Sequence, residues 1–233
     1  MDLSTSHAST QQLTAEPVIA TGPRPAVKYA VEAIGTFFLV FTIGAAVGSH
    51  SALAPLAIGA ALMVMVYAGG HISGGHYNPA VTVAALVRGR ISGGDAIGYG
   101  AAQLVAGWVA ACVVRATVPS SPAHALAPQG HALVSALVVE LLFTFALAYV
   151  VLNVATSKDH PDNSFYGLAI GFTVLAGAIA VGGISGGAFN PAVVLGGAAM
   201  GLFGWSTLIY LVPQLIAGVA AGLVFRALNP ADK

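Results

Sequence analysis

The decapeptide Ile72-Ser-Gly-Gly-His-Tyr-Asn-Pro-Ala-Val81 returns as Ile184-Ser-Gly-Gly-Ala-Phe-Asn-Pro-Ala-Val193, a separation of 190 − 78 = 112 residues. Fainter echoes accompany it. Val31-Glu32 followed by Thr36-Phe37 matches Val139-Glu140 followed by Thr144-Phe145, and Gln103 with Gly107 matches Gln214 with Gly218. The whole chain therefore reads as a duplication. Composition says what surrounds it: 57% of the 233 residues are hydrophobic and 7% charged, where an ordinary soluble domain carries about 25% charged residues. Uncharged runs of membrane-spanning length recur over 33–50, 51–70, 96–114 and 167–182. Spans are expected near 29–49, 51–69, 95–118, 132–155, 166–182 and 205–228. Each repeat then holds three. An odd number of crossings sets the second repeat upside down relative to the first, the inverted-repeat architecture of many membrane transport proteins.

The repeated motif is followed by apolar, helix-compatible stretches too short to cross. Pro79–Arg88 and Pro191–Met200 each have ten residues, about 15 Å of helix against a hydrocarbon core of about 30 Å. Each repeat is expected to dip a half-helix into the membrane through a Gly-rich extended segment. Asn is a favoured N-cap and Pro a favoured first helical residue, so both Asn-Pro pairs read as helix starts. The two N-termini should meet at the midplane. Gly74, Gly75, Gly186 and Gly187 let the entering backbone run close to its neighbours, and irregular backbone at this depth implies a watery lumen for its carbonyls. Each Asn oxygen can accept from its own helix terminus, leaving the amide hydrogens to donate to whatever passes. Two helix dipoles, each worth about half a positive charge, would oppose cations there, hydronium included. The expected fold class is thus all-α integral membrane, with six transmembrane helices plus two re-entrant half-helices in an inverted repeat.

Charge and composition exclude other classes. Eight basic and eight acidic residues give a formal net charge of zero, and no basic cluster could track a phosphate backbone, so nucleic acid is not an expected partner. His71 and His76 flank the first Gly-Gly pair on what reads as a non-helical loop, without a nearby carboxylate or cysteine, so neither a metal site nor a cofactor is expected. No nucleophile, base and orienting group come together, and no enzyme is expected. An ion-coupled secondary transporter, the alternative from another class, would need coupling groups, and no Asp, Lys or Arg falls at midplane depth. Cys112 lies in an apolar run and reads as a small core residue. Residues 1–27 are rich in Ser, Thr, Gln, Ala and Pro, with Pro17, Pro23 and Pro25 expected to break any helix; they read as a disordered tail without a secretory signal. Six spans place both termini on one side. Arg24, Lys28, Arg88, Arg90, Lys158, Arg226 and Lys233 fall on that side and Arg115 near the other, which makes it cytoplasmic. Residues 229–233 form a short cytoplasmic C-terminus. High Ala and Gly with short loops suggest a bacterial inner membrane.

The paired Asn-Pro-Ala motifs, the sequence His71-Ile-Ser-Gly-Gly-His-Tyr-Asn78, and the paired Glu32 and Glu140 resemble the aquaporin, or major intrinsic protein, family. The resemblance covers about residues 28–228, with repeat one near 28–118 and repeat two near 132–228. It implies a passive water and neutral-solute channel in the lipid bilayer, assembled as a homotetramer with one pore per subunit. Asn78, Pro79, Ala80, Asn190, Pro191 and Ala192 would form its central motifs. Glu32 and Glu140 would brace the half-helix loops, and backbone carbonyls of Gly74, Gly75, His76, Tyr77, Gly186, Gly187 and Ala188 would line the pore. His71 would lie towards the cytoplasmic mouth, near the polar loop 156–164, which could gate by moving. Carried over by spacing, the selectivity filter falls on Ile58, Ala178, Gly187 and Val193. The usual aromatic ring and Arg are both missing, as in some tonoplast intrinsic proteins and bacterial arsenic-associated aquaporins, so a wide, apolar filter is expected. Glycerol, urea, ammonia, hydrogen peroxide or arsenite are the implied permeants besides water; a strict water channel is the alternative.

Overall fold

A computed structural model describes residues 22–119 and 125–232. Of the tail expected over 1–27, residues 1–21 lie outside the described residues, as does Lys233 of the C-terminal segment. Among the described residues, six helical segments are long and apolar enough to cross a membrane. They are α1 (Pro25–Gly48), α2 (Ala54–Ser73), α4 (Gly93–Thr117), α5 (Gly130–Thr156), α6 (Tyr166–Ser185), and a 3-10 turn over Trp205–Tyr210 that runs into α8 (Leu211–Leu228). Between them sit the half-helices α3 (Pro79–Arg88) and α7 (Pro191–Met200). The fold is six transmembrane helices and two re-entrant half-helices, span, span, half-helix, span in each repeat.

Within each repeat the first span packs on the second and third, and α2 meets α6 across the repeat boundary. The half-helices cross over. α3 packs chiefly against α8 and α7 against α4, so each rests on the third span of the other repeat. Glycine makes this approach possible: a Cβ on Gly107 would lie 2.7 Å from the Ala192 carbonyl oxygen, and one on Gly218 would strike the carbonyl oxygen of Ala80. Without a water-driven hydrophobic term in lipid, such backbone contact is a principal source of helix association. Only about a third of each span is buried inside the molecule, 28–39%. Large apolar side chains such as Ile34, Phe38, Val105, Leu142, Phe172 and Leu223 are exposed on the outside of the bundle.

Four local readings differ from expectation. Pro25 begins α1 instead of breaking it, because its fixed φ suits the first helical position, where no N–H is needed. α2 and α6 run past their expected ends at 69 and 182, through Gly69-Gly70 and Gly182-Gly183, to Ser73 and Ser185, which places His71 on the last turn of a helix and not on a loop. The last span opens as a 3-10 turn because Pro213 has no N–H to give the Ile209 carbonyl. Cys112 is exposed; in a membrane helix an apolar run faces lipid as readily as core.

Candidate functional site

The half-helix starts define the centre. Asn78 and Asn190 both have extended backbones, φ −157° and −159°, and their side chains turn back as N-caps. Asn78 Oδ1 accepts from the Ala80 amide at 2.8 Å, and Asn190 Oδ1 from the Ala192 amide at 2.9 Å. Their Nδ2 groups reach across the repeats: Asn78 donates to the Phe189 carbonyl at 2.9 Å, Asn190 to the Tyr77 carbonyl at 2.8 Å. The two half-helices therefore touch tip to tip. One amide hydrogen of each Asn is committed to this clasp, so one, not two, is left to donate elsewhere.

Tyr77 and Phe189 sit at φ +49°, a left-handed conformation that is uncommon outside glycine. Three contacts hold each of them. The carbonyl accepts from the opposite Asn, the side chain is buried, and the amide donates to a glutamate, at 2.6 Å to Glu32 Oε2 for Tyr77 and 2.8 Å to Glu140 Oε2 for Phe189. Glu32 also accepts from the Ser73 hydroxyl at 2.6 Å, the His76 amide at 3.0 Å and Gln103 Nε2 at 2.8 Å. Glu140 accepts from Ser185 at 2.6 Å, the Ala188 amide at 3.0 Å and Gln214 Nε2 at 2.7 Å. Both carboxylates are fully buried, and four donors each are what makes such burial tolerable. Gln103 and Gln214 thus face the glutamates.

The repeats diverge around His76. Its Nδ1 lies 3.1 Å from Thr82 Oγ1, which accepts from Gln103 Nε2 at 3.1 Å and donates to the Asn78 carbonyl at 3.0 Å. With the hydroxyl hydrogen so committed, a neutral His76 completes the network by donating from Nδ1, which leaves Nε2 as an acceptor. Repeat two has Ala188 and Val194 at these positions and no such chain.

Three cavities follow the axis. A neck of about 20 Å³ is lined by His76, Asn78, Ala188, Asn190 and Val193 among apolar side chains. One water occupies about 10–15 Å³ on this measure, so molecules pass it singly. On the face shared by the start of α1 and the end of α8, here the near face, a vestibule of about 710 Å³ is lined by His71, Gly74, His76 and a charged rim of Lys28, Arg90, Asp95 and Lys158. On the far face a vestibule of about 630 Å³ brings together Ile58, Ala178, Gly187 and Val193, with Gly186 beside them. Gly75 and Tyr77 line none of the three; the Tyr77 carbonyl is the one taken by Asn190. No group of three or more His, Cys, Asp or Glu able to hold a metal is found among the described residues.

A tie unseen in the sequence closes the near face. Asp232 accepts from Arg88 Nη2 at 2.6 Å and from the Lys158 amide at 2.9 Å, with Arg90 at 3.4 Å. Arg90 also donates to the Thr156 carbonyl at 2.9 Å, and the Arg88 guanidinium lies over the Phe225 ring, 4.4 Å from its centroid. The Lys158 amide first, then the Arg88 guanidinium, hold the Asp232 carboxyl below the usual carboxylate range. Loop 156–164, the end of α3 and the segment after α8 thereby become one unit.

Fold and site together define an integral membrane protein with a lumen running between two interlocked half-helices. The chain belongs to the major intrinsic protein family, whose family model matches residues 23–225. It is 38% identical over 218 residues to glycerol uptake facilitator protein-like 6 of Lactiplantibacillus plantarum, covering 88% of this chain and 99% of that one. With the aquaporin NIP1-3 of Oryza sativa subsp. japonica it shares 36% identity over 216 residues, 88% of this chain and 75% of the relative. Among solved structures, the aquaglyceroporin from Plasmodium falciparum matches with a TM-score of 0.69 at 22% identity, over 88% of this chain and 96% of that one; this likeness concerns the fold.

Proposed function

We propose that the chain is a passive channel for water and small neutral solutes, with Ile58, Ala178, Gly187 and Val193 as a wide filter lacking Arg and the paired Asn-Pro-Ala motifs as the barrier to ions and protons. The observation that carries this reading is continuity. Ile58, Gly187 and Val193 line both the far vestibule and the neck, while His76 lines both the neck and the near vestibule, so the three cavities join end to end. At the neck, the free amide hydrogen of each Asn donates to the oxygen of a passing molecule, and the positive ends of α3 and α7 repel cations. Val193 brings neither charge nor hydrogen bond to the filter, and Ala178 and Gly187 leave it room. Relatives named as a glycerol uptake facilitator and as an aquaporin support both classes of permeant, with glycerol, urea, ammonia, hydrogen peroxide and arsenite as the candidates beside water. The near face is assigned to the cytoplasm on its excess of basic residues, a bacterial inner membrane is the proposed location, and the assembly is a homotetramer.

Stopped-flow light scattering on reconstituted vesicles tests this. The native chain is expected to conduct water together with glycerol, urea or arsenite. Val193→Arg is expected to lower solute permeability about tenfold or more while water still passes, because a guanidinium refills the filter with bulk and fixed charge. Water conduction with all the solutes excluded would remove the wide-filter reading, and absence of water conduction the channel reading itself.

A further inference from the structure

The two ends of the lumen are built from equivalent stretches of the repeats, yet their chemistry is opposite. Arg90 and Ile91 on the near vestibule correspond to Leu202 and Phe203 on the far one, at the same 112-residue offset as the two Asn residues. The near end carries five charged side chains, Lys28, Arg90, Asp95, Lys158 and Asp162, and an imidazole acceptor. The far end is walled by side chains such as Val47, Val114, Met200 and Phe203, with Arg115 and His50 as its polar members. Arg115 points its Nη1 to the Ala199 carbonyl at 3.4 Å.

Leu126 completes that apolar wall from outside both copies of the motif. It lies in the segment between α4 and α5, where no helix fixes it. A parallel bridge to Phe203 does so instead: the Leu126 amide donates to the Leu202 carbonyl and the Gly204 amide to the Leu126 carbonyl, both at 2.9 Å. Its side chain closes over the pore-entering backbone, so that a Cβ on Gly186 would lie 3.0 Å from Leu126 Cδ2. A side chain pinned by its own backbone on both sides, against the segment that carries Gly186 and Gly187, presents a fixed surface to every solute that enters.

We propose that the far vestibule is an apolar capture site closed by Leu126, a specificity-determining residue, and that it favours neutral solutes with a methyl or methylene face over fully hydroxylated or amidated solutes of similar size. The proposal rests on the neutral-solute channel reading and deepens it. A solute leaving water loses less there if part of its own surface is apolar, and each methyl group placed against the wall is worth about a three- to fourfold preference.

The test uses the full chain in phosphatidylethanolamine and phosphatidylglycerol vesicles, with protein-free vesicles of the same lipid subtracted. Two pairs are compared, 1,2-propanediol with glycerol and N-methylurea with urea, alongside osmotic water permeability. The native chain is expected to pass the methylated member of each pair faster. Leu126→Asn is expected to lower that ratio about threefold while water permeability changes less than about twofold. Should Leu126→Asn fail to assemble, Leu126→Thr, which keeps an extended backbone preference, gives the same readout. A native ratio at or below one, a ratio unmoved by substitution, or solute and water permeabilities falling in step all overturn the assignment. Those results leave the channel reading standing, whereas exclusion of all four solutes by the native chain removes the wide filter and this inference together.

Discussion

Glu32 and Glu140 hold the two strained residues of the pore in place, each through four donated hydrogen bonds. A glutamine at either position keeps one accepting oxygen and turns an NH₂ group towards donors. Two of the four bonds are lost, at about 1–3 kcal/mol for each buried donor left unpaired. Glu32→Gln is therefore expected to lower stability by about 2–6 kcal/mol, read as a fall in the thermal midpoint of detergent-solubilised protein. A midpoint unchanged from the native value would remove the bracing role. At this scale local chemistry was legible in the sequence and long-range chemistry was not. The N-caps of Asn78 and Asn190 follow from the residue type and the Pro after it. Their clasp on Phe189 and Tyr77, and the seats of Leu126 and Asp232, depend on partners in remote parts of the chain that no local pattern announces.

Among elements, the loop 156–164 is held by several side chains, Arg90 on the Thr156 carbonyl and Asn163 on the Val154 carbonyl among them, and Asp232 is the one that titrates. Asp232 joins it to the end of α3, and its carboxyl is held below the usual range. A depressed folded value means that the tie is complete at neutral pH, holds above the ordinary carboxylate value of about 4, and is lost as pH falls through the lower folded value. Hydrogen exchange over 157–163 is expected to be slow at pH 7 in the native chain and to quicken under acid, and Asp232→Asn is expected to quicken it already at pH 7. Equal exchange in both proteins at pH 7 would show that the loop is held by other contacts. Element types were readable because ten residues after an Asn-Pro cannot span and twenty apolar ones can. Ends were less so: Pro25 can stop or start a helix, and only the structure shows that α2 and α6 continue through Gly69-Gly70 and Gly182-Gly183 before stopping at Gly74 and Gly186.

Over the molecule as a whole, only 28–39% of the residues in each span are buried. Cys112, exposed on α4, illustrates why apolar sequence identified the membrane solvent but not which residues form the core. Trp108 and Trp205 stand together, 6.2 Å between centroids, exposed near the far end, as aromatic residues do at a membrane boundary. The proposed orientation rests on charge. Arg88, Arg90, Lys158 and Arg226 mark the near face and Arg115 the far one, so a fluorescent protein fused after the last residue is expected to fluoresce in a bacterial host and an alkaline phosphatase fusion to be inactive. The reverse pattern would reject the assignment.

Because α3 rests on α8 and α7 on α4, neither half of this chain owns a complete passage. An ancestor of half the length would have needed a twin inserted the other way up, and hence a charge balance even enough to permit both insertions. Fusion of two such genes would have freed each copy to diverge, so that His76, Arg88 and Arg90 of one now stand opposite Ala188, Met200 and Leu202 of the other.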